Sequence, residues 1–219
     1  GMVTIPAGLY TVSAAAAGSM EPVTVRAFAI DRTEVTVGAY HACIEAGRCP
    51  QPASTASATR PNYLLDGAFE RFPMINVNWP AASDYCAFVG KRLPSAVEWE
   101  VAAGHAPGSE RPNPYPWGAQ FQLQRANSAR TGLGDTQEVG SYRPSGDSEF
   151  GAADMAGNVA EWTATNVGRA ADSEEDHFLT KGGSFVAEPE ELLVAFSAPQ
   201  PASFAAPWLG FRCALDVGG

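Results

Sequence analysis

GAADMAGNVAEWTA, residues 151–164, is the stretch whose reading decides this chain. It sets Asp154, Asn158 and Glu161 around small residues suited to turns and then runs into the aromatic Trp162. Two shorter strings go with it, KGGSF at 181–185 and GFRCA at 210–214. The surrounding composition describes a globular protein: 219 residues, 45% of them hydrophobic, enough to bury a core in one domain. Carboxylates outnumber basic residues 24 to 14, for a net charge of −10. A nucleic-acid or anionic-membrane partner is therefore excluded, since either needs a Lys/Arg footprint. No apolar run is long enough for a membrane span, and the alanines at 14–17 are too few for a span or a signal core.

The 22 glycines and 17 prolines are scattered, which predicts a loop-rich fold with short regular elements. VTVRAFAI at 23–30 alternates as a strand with Val23, Val25, Ala27 and Ala29 on one side. A helix is expected over 36–45, with Tyr40 and Ile44 on one face and a stop near Gly47. A second is expected over 80–89, where Ala81, Tyr85 and Phe88 recur at helical spacing before Gly90. A third covers 95–103, with Ser95 and Glu98 in the spacing of a capping box and Trp99 turned to the core. Residues 50–71, 169–176 and 199–207 read as surface loops.

Cys43 and Cys49 are spaced to close a small loop, while Cys86 and Cys213 lie far apart; three pairings or four free thiols remain open from the residues alone. Zinc spacing is absent. His41, His105 and His177 form no metal-binding string, and no GxSxG nucleophile elbow occurs.

With MVTIPAG at 2–8, VRAFAIDRTEVTVGAY at 25–40, PMINVNWPAASDYCAFVGKRLPSAVEWEVAAG at 73–104, YPWG at 115–118 and VGSYRPS at 139–145, the chain resembles the formylglycine-generating enzyme (sulfatase-modifying factor) family end to end. The resemblance implies a single α+β domain over 1–219, of the C-type-lectin-like fold. It also implies a Cys86–Cys213 bridge, leaving Cys43 to Cys49, and two bridges favour an extracytoplasmic location. In that family two cysteines downstream of the GGS motif hold copper, because soft thiolates suit Cu(I). The matching positions here are Ala187 and Leu192, and Ala160 replaces the tryptophan of the family's GNxWEW motif. No copper is therefore expected, and Ser184 reads as a turn residue. The resemblance further implies calcium at Asp154 and Glu161 with the carbonyls of Gly157 and Val159, the alternative being that these carboxylates cap turns or pair with Arg92 or Arg212. A second calcium position at Asn127 and Ser128 has no clear carboxylate in the shortened loop after it.

Such domains occur as accessory parts of bacterial sensor kinases and as variable proteins of diversity-generating retroelements. The expectation is therefore a non-catalytic ligand-binding or regulatory module, a pseudoenzyme with an unknown protein or small-molecule partner. The alternative is a metal-dependent oxidoreductase with a rearranged site. The recognition surface is expected between the GGS and GFR motifs, from the aromatic Phe185, Phe196, Phe204 and Trp208. Glu188, Glu190 and Glu191 would make it acidic and favour a cation-bearing partner.

Overall fold

Three sheets and three helices form the framework of the computed structural model, which describes residues 1–13, 19–106, 109, 111–170 and 173–217. The alanine run at 14–17 and part of the expected 169–176 loop lie outside them. Strand β1 (Met2–Ile5) pairs antiparallel with β4 (Phe28–Asp31), which pairs antiparallel with β9 (Ala214–Asp216), so the two ends of the chain share one sheet. Between them, β2 (Gly8–Ser13) and β3 (Met20–Val25) form a hairpin. The third sheet has the order β7 (Ser197–Pro201), β6 (Asp176–Lys181), β5 (Ala160–Arg169), β8 (Leu209–Phe211), with β5 and β8 parallel. This mixed α and β architecture matches the expected fold class. Among the described residues no helix is long and apolar enough to cross a membrane.

The helices follow their start signals. Thr36 caps α1 (Val37–Glu45) by accepting from the Ala39 N–H, and Asn78 caps α2 (Trp79–Phe88) by accepting from Ala81. At α3 (Ala96–Gly104) both halves of the capping box form: the Glu98 N–H donates to Ser95 Oγ at 3.1 Å, and the Ser95 N–H donates to Glu98 Oε2 at 2.8 Å. Trp99 is fully buried on this helix.

Three expectations need correction. The strand expected over 23–30 is two strands in different sheets: Arg26 is exposed where the chain leaves β3, and Phe28, Ala29 and Ile30 are all buried because β4 is the centre of its sheet. Residues 50–71 are irregular but not merely surface, since Tyr63 and Leu64 are buried and Tyr63 Oη donates to the Pro73 carbonyl at 2.7 Å. Residues 199–201 belong to β7, whose two prolines suit a sheet edge that needs no further partner.

The core has two large apolar clusters. One gathers Tyr40, Tyr63, Met74, Tyr85, Trp162 and Phe211 around both disulfides, Cys43–Cys49 and Cys86–Cys213. The other joins the first sheet to α3 through Ile5, Phe28, Ile30, Trp99 and Met155. Each such side chain contributes about 1.5–3 kcal/mol by leaving water. A smaller third cluster of Tyr115, Ala126, Ala156, Ala187 and Leu192 lies under the turn that follows β6.

Candidate functional site

The turn at 154–158 leads into β5 and organises a buried polar hub. Asp154 and Asn158 both take left-handed backbone, φ 56° and 61°, a conformation that short polar residues tolerate. Asn158 explains its own strain through its partners. Its Nδ2 donates to Glu34 Oε1 at 2.9 Å, its Oδ1 accepts from the Gln137 N–H at 2.8 Å, and its carbonyl accepts from the Phe185 N–H at 3.0 Å. One side chain and its backbone thus tie the start of the chain to the post-β6 turn.

At the other end of this segment, Glu161 meets Arg212 with both side chains fully buried. Parallel pairing of β5 with β8 sets Glu161 opposite Gly210, which brings Arg212 alongside. All five guanidinium N–H groups are placed: Glu161 Oε2 and Oε1 accept at 2.7 Å each, and the carbonyls of Asp31, Arg32 and Ala153 accept the rest. Trp99 Nε1 also donates to Glu161 Oε2, at 2.8 Å. Such a desolvated pair is tolerable because every donor is used.

Glu34 and Asp154 form the unusual part of the hub. Among the described residues Glu34 Oε2 is buried with no hydrogen-bond partner, and the Glu34 carboxyl lies within electrostatic reach of Asp154. Two neighbouring carboxyls out of water resist ionising together, which favours a protonated Glu34. Burial first, and then the Asp154 charge, hold Glu34 well above the usual carboxylate range. Burial also raises Asp154, which accepts from the Gly140 N–H.

The two carboxylates expected to hold calcium, Asp154 and Glu161, already have partners within the protein. Glu161 already receives three N–H donors, and a desolvated guanidinium supplies its counter-charge. Asp154 is turned to Glu34 and Gly140. Among the described residues no group of three or more His, Cys, Asp or Glu could hold a metal. The carboxylate of the shortened loop near Asn127 is Asp135, which the sequence did not single out. It accepts from Ser57, Thr59 and Thr136, and against the cost of burial these hydrogen bonds hold it below its ordinary range.

A cavity of about 190 Å³ opens beside the post-β6 turn. Gly182 and Gly183, at φ 90° and 63°, turn the chain away from β6, and a helical turn at Pro189–Leu192 follows. Ala187 and Leu192, where copper ligands would stand, are apolar and buried beneath this segment. Ser184, 3% exposed, lines the cavity, and its Oγ accepts only a 3.4 Å contact from the Val186 N–H. Lys181 also lines it and is buried. Burial lowers the Lys181 amine against the pull of Glu100, to which Nζ donates at 3.0 Å while lying 5.7 Å from the centre of the Trp99 ring.

Of the seven residues expected to form a recognition surface, Glu191, Phe196 and Trp208 line this one cavity. Phe204 stands behind Trp208, 5.6 Å between ring centres. Glu188 and Glu190 are exposed outside it, Glu188 paired to Arg130 at 2.6 Å. Phe185 is a correction: only 2% exposed, it is a core residue, because the turn that positions Ser184 at the cavity sends the next side chain inward.

Comparison with known proteins agrees with this arrangement. A model of the sulfatase-modifying factor enzyme 1-like domain matches residues 1–217. The chain is 34% identical over 184 residues to the inactive C-alpha-formylglycine-generating enzyme 2 of Bos taurus, covering 77% of this chain and 56% of that protein. It is 30% identical over 167 residues to the serine/threonine-protein kinase pkn1 of Chlamydia pneumoniae, covering 70% of this chain and 26% of the kinase. The chain thus spans about half of the first relative and a quarter of the second. Among solved structures, PvdO from Pseudomonas aeruginosa superposes with a TM-score of 0.76 at 27% identity, covering 99% of this chain and 94% of that one.

Proposed function

Because this chain belongs to the family of sulfatase-modifying factor enzyme 1-like domains, we propose that it is a non-catalytic recognition module that keeps the family's scaffold without its copper chemistry. The observation that carries this reading is the pair Ala187 and Leu192, two buried apolar side chains where oxygen activation would need thiolates. All four cysteines are bridged, Cys43 to Cys49 and Cys86 to Cys213, so no free thiol is left to substitute. The cavity that remains has aromatic and polar walls, which suits binding rather than turnover.

Two likenesses support the reading. The bovine relative is named inactive, and the chlamydial relative is a kinase of which the matched region is a minor part. On that pattern the domain serves as the sensing or docking part of a signalling assembly. The two disulfides support an oxidising, extracytoplasmic setting. The test is to incubate the purified protein with Cu(I) under exclusion of other metals, and then with oxygen and a CxPxR peptide. The expected result is no stoichiometric copper by elemental analysis and no mass change of the peptide. Stoichiometric copper together with formylglycine formation would overturn the reading in favour of an oxidoreductase with a rearranged site.

A further inference from the structure

The cavity beside the post-β6 turn has a particular chemistry. Its volume of about 190 Å³ suits a compact head group. Phe196 and Trp208 offer it aromatic surface, and both are half-buried, so each ring keeps a solvent-facing part. Phe204 braces Trp208 from behind.

The charges around the cavity are one-sided. Lys181 is neutralised by Glu100, both buried, and its amine sits by the Trp99 ring. Arg130, the basic residue near the helical turn, is taken by Glu188. Among the described residues Glu190 and Glu191 have no basic partner, and Glu191 is at the cavity wall with one oxygen accepting from the Glu188 N–H. An anionic ligand would meet carboxylates with no free cation to receive it. A cation would meet two aromatic side chains and a carboxylate with no basic partner, a composition that favours alkylammonium groups, whose weak hydration is cheaply lost.

A second observation points to an occupant independently of the acidic rim. Ser184 is buried to 97% against the cavity, and its hydroxyl proton has no acceptor in the protein among the described residues. Gln200, half-buried on β7, also lines the cavity, and among the described residues its side-chain amide has no hydrogen-bond partner. A ligand carrying a hydroxyl or carbonyl close to its cationic centre would satisfy both.

Resting on the reading of this domain as a recognition module, we propose that the cavity is a receptor for a compact methylated ammonium head group, held between Phe196 and Trp208 with Glu191 as its counter-charge. The group can come from a free small amine or from a methylated lysine side chain. The probes are choline, its neutral isostere 3,3-dimethylbutan-1-ol, and a short peptide carrying trimethyllysine, each titrated calorimetrically into the intact protein at low salt. The proposal expects choline or the peptide to bind at least about tenfold more tightly than the isostere, the size of a desolvated cation–π preference. Peptide binding with no choline binding assigns the side-chain source, and the converse assigns the free amine. E191Q, at an exposed position, should weaken the cation about threefold or more and leave the isostere unchanged. W208L, which keeps apolar bulk against the core, should abolish the preference for the cation. Equal binding of choline and isostere, binding of neither choline nor the peptide, or undiminished cation binding in E191Q and W208L proteins of unchanged melting temperature would overturn the proposal. Those outcomes leave the non-catalytic reading standing, because only copper uptake with peptide oxidation refutes that.

Discussion

Removing the two disulfides separately should expose how differently they act. The Cys86–Cys213 bridge joins residues 127 apart, and Cys43–Cys49 joins residues only six apart. In the chain-entropy model a cross-link restrains the unfolded state by 2.1 + 1.5R ln n cal/mol/K, which at 25 °C is about 4.9 kcal/mol for the long loop and about 2.2 kcal/mol for the short one. The cysteines are all buried in one apolar cluster, so replacement by alanine removes a similar volume of core at either place. The difference between the two double variants, about 2.7 kcal/mol, therefore isolates loop closure. For a chain of this size that is about 5–11 °C in melting temperature, Cys86→Ala/Cys213→Ala being the lower. Differential scanning calorimetry of the two variants, with peptide mapping to verify the remaining bridge, measures it. Equal losses, or a larger loss for Cys43→Ala/Cys49→Ala, would refute the argument that these bridges act mainly on the unfolded chain.

Other consequences follow from the buried groups. Glu34 is raised in the folded state by burial and then by Asp154, so it keeps its proton where the unfolded chain would release it. Its stabilising contribution is complete below the ordinary Glu value of 4.5 and is lost as pH rises through the folded value. Glu34→Gln can keep the Asn158 contact and has no proton to release, so it should flatten the fall in stability toward alkaline pH in urea titrations; identical pH slopes would count against a protonated Glu34. Gly183→Ala would place a Cβ 2.7 Å from the Glu191 carbonyl and from Leu192 at φ 63°, and should cost about 1–3 kcal/mol by chemical denaturation, with a loss under about 0.5 kcal/mol showing that the turn can relax. Arg212→Met should strand a buried carboxylate at a cost of about 3–5 kcal/mol, and Arg212→Met/Glu161→Leu should recover most of it; an Arg212→Met protein as stable as the wild type would contradict the pairing. Millimolar calcium should leave the melting temperature unchanged, since Arg212 already neutralises Glu161, whereas a rise that disappears in Glu161→Gln would put the ion there.

Local signals were readable wherever one segment carried both halves of the information. The three helices came from spacing and caps within a dozen residues, and the Ser95–Glu98 box formed as its spacing required. The strand over 23–30 failed because alternation reports which way side chains point, not which sheet a segment joins; the break at Arg26 hands the chain from a hairpin to the sheet holding the C-terminal strand. The loop at 50–71 has turn composition throughout, yet Tyr63 and Leu64 anchor it, and only the fold shows that Asp135 pins residues 57–60 from across the chain. In the site, Glu161 was recognisable but its partner was not. Arg92 and Arg212 both sit in plausible strings, and the choice rests on β5 lying parallel to β8, while Arg92 is spent on Glu98 and Asp216. Glu34 gave no local sign at all, its importance arising from Asp154 and Asn158, more than a hundred residues away in the chain.

The same contrast explains how the post-β6 turn keeps its shape with Ala187 and Leu192 in it. The path of the post-β6 turn is set by Gly182 and Gly183, whose left-handed backbone and close approach to Trp99 and the Glu191 carbonyl leave no room for a Cβ. It is held again at the Phe185 N–H by the Asn158 carbonyl, and at the Ala187 carbonyl by the Ala129 N–H. None of these contacts uses the side chains at 187 and 192. Ala187 and Leu192 instead bury apolar surface against Tyr115, Ala126 and Ala156, which stabilises the turn. The cavity above it, walled by Phe196, Trp208 and Glu191, then stays open on a turn whose geometry owes nothing to catalysis.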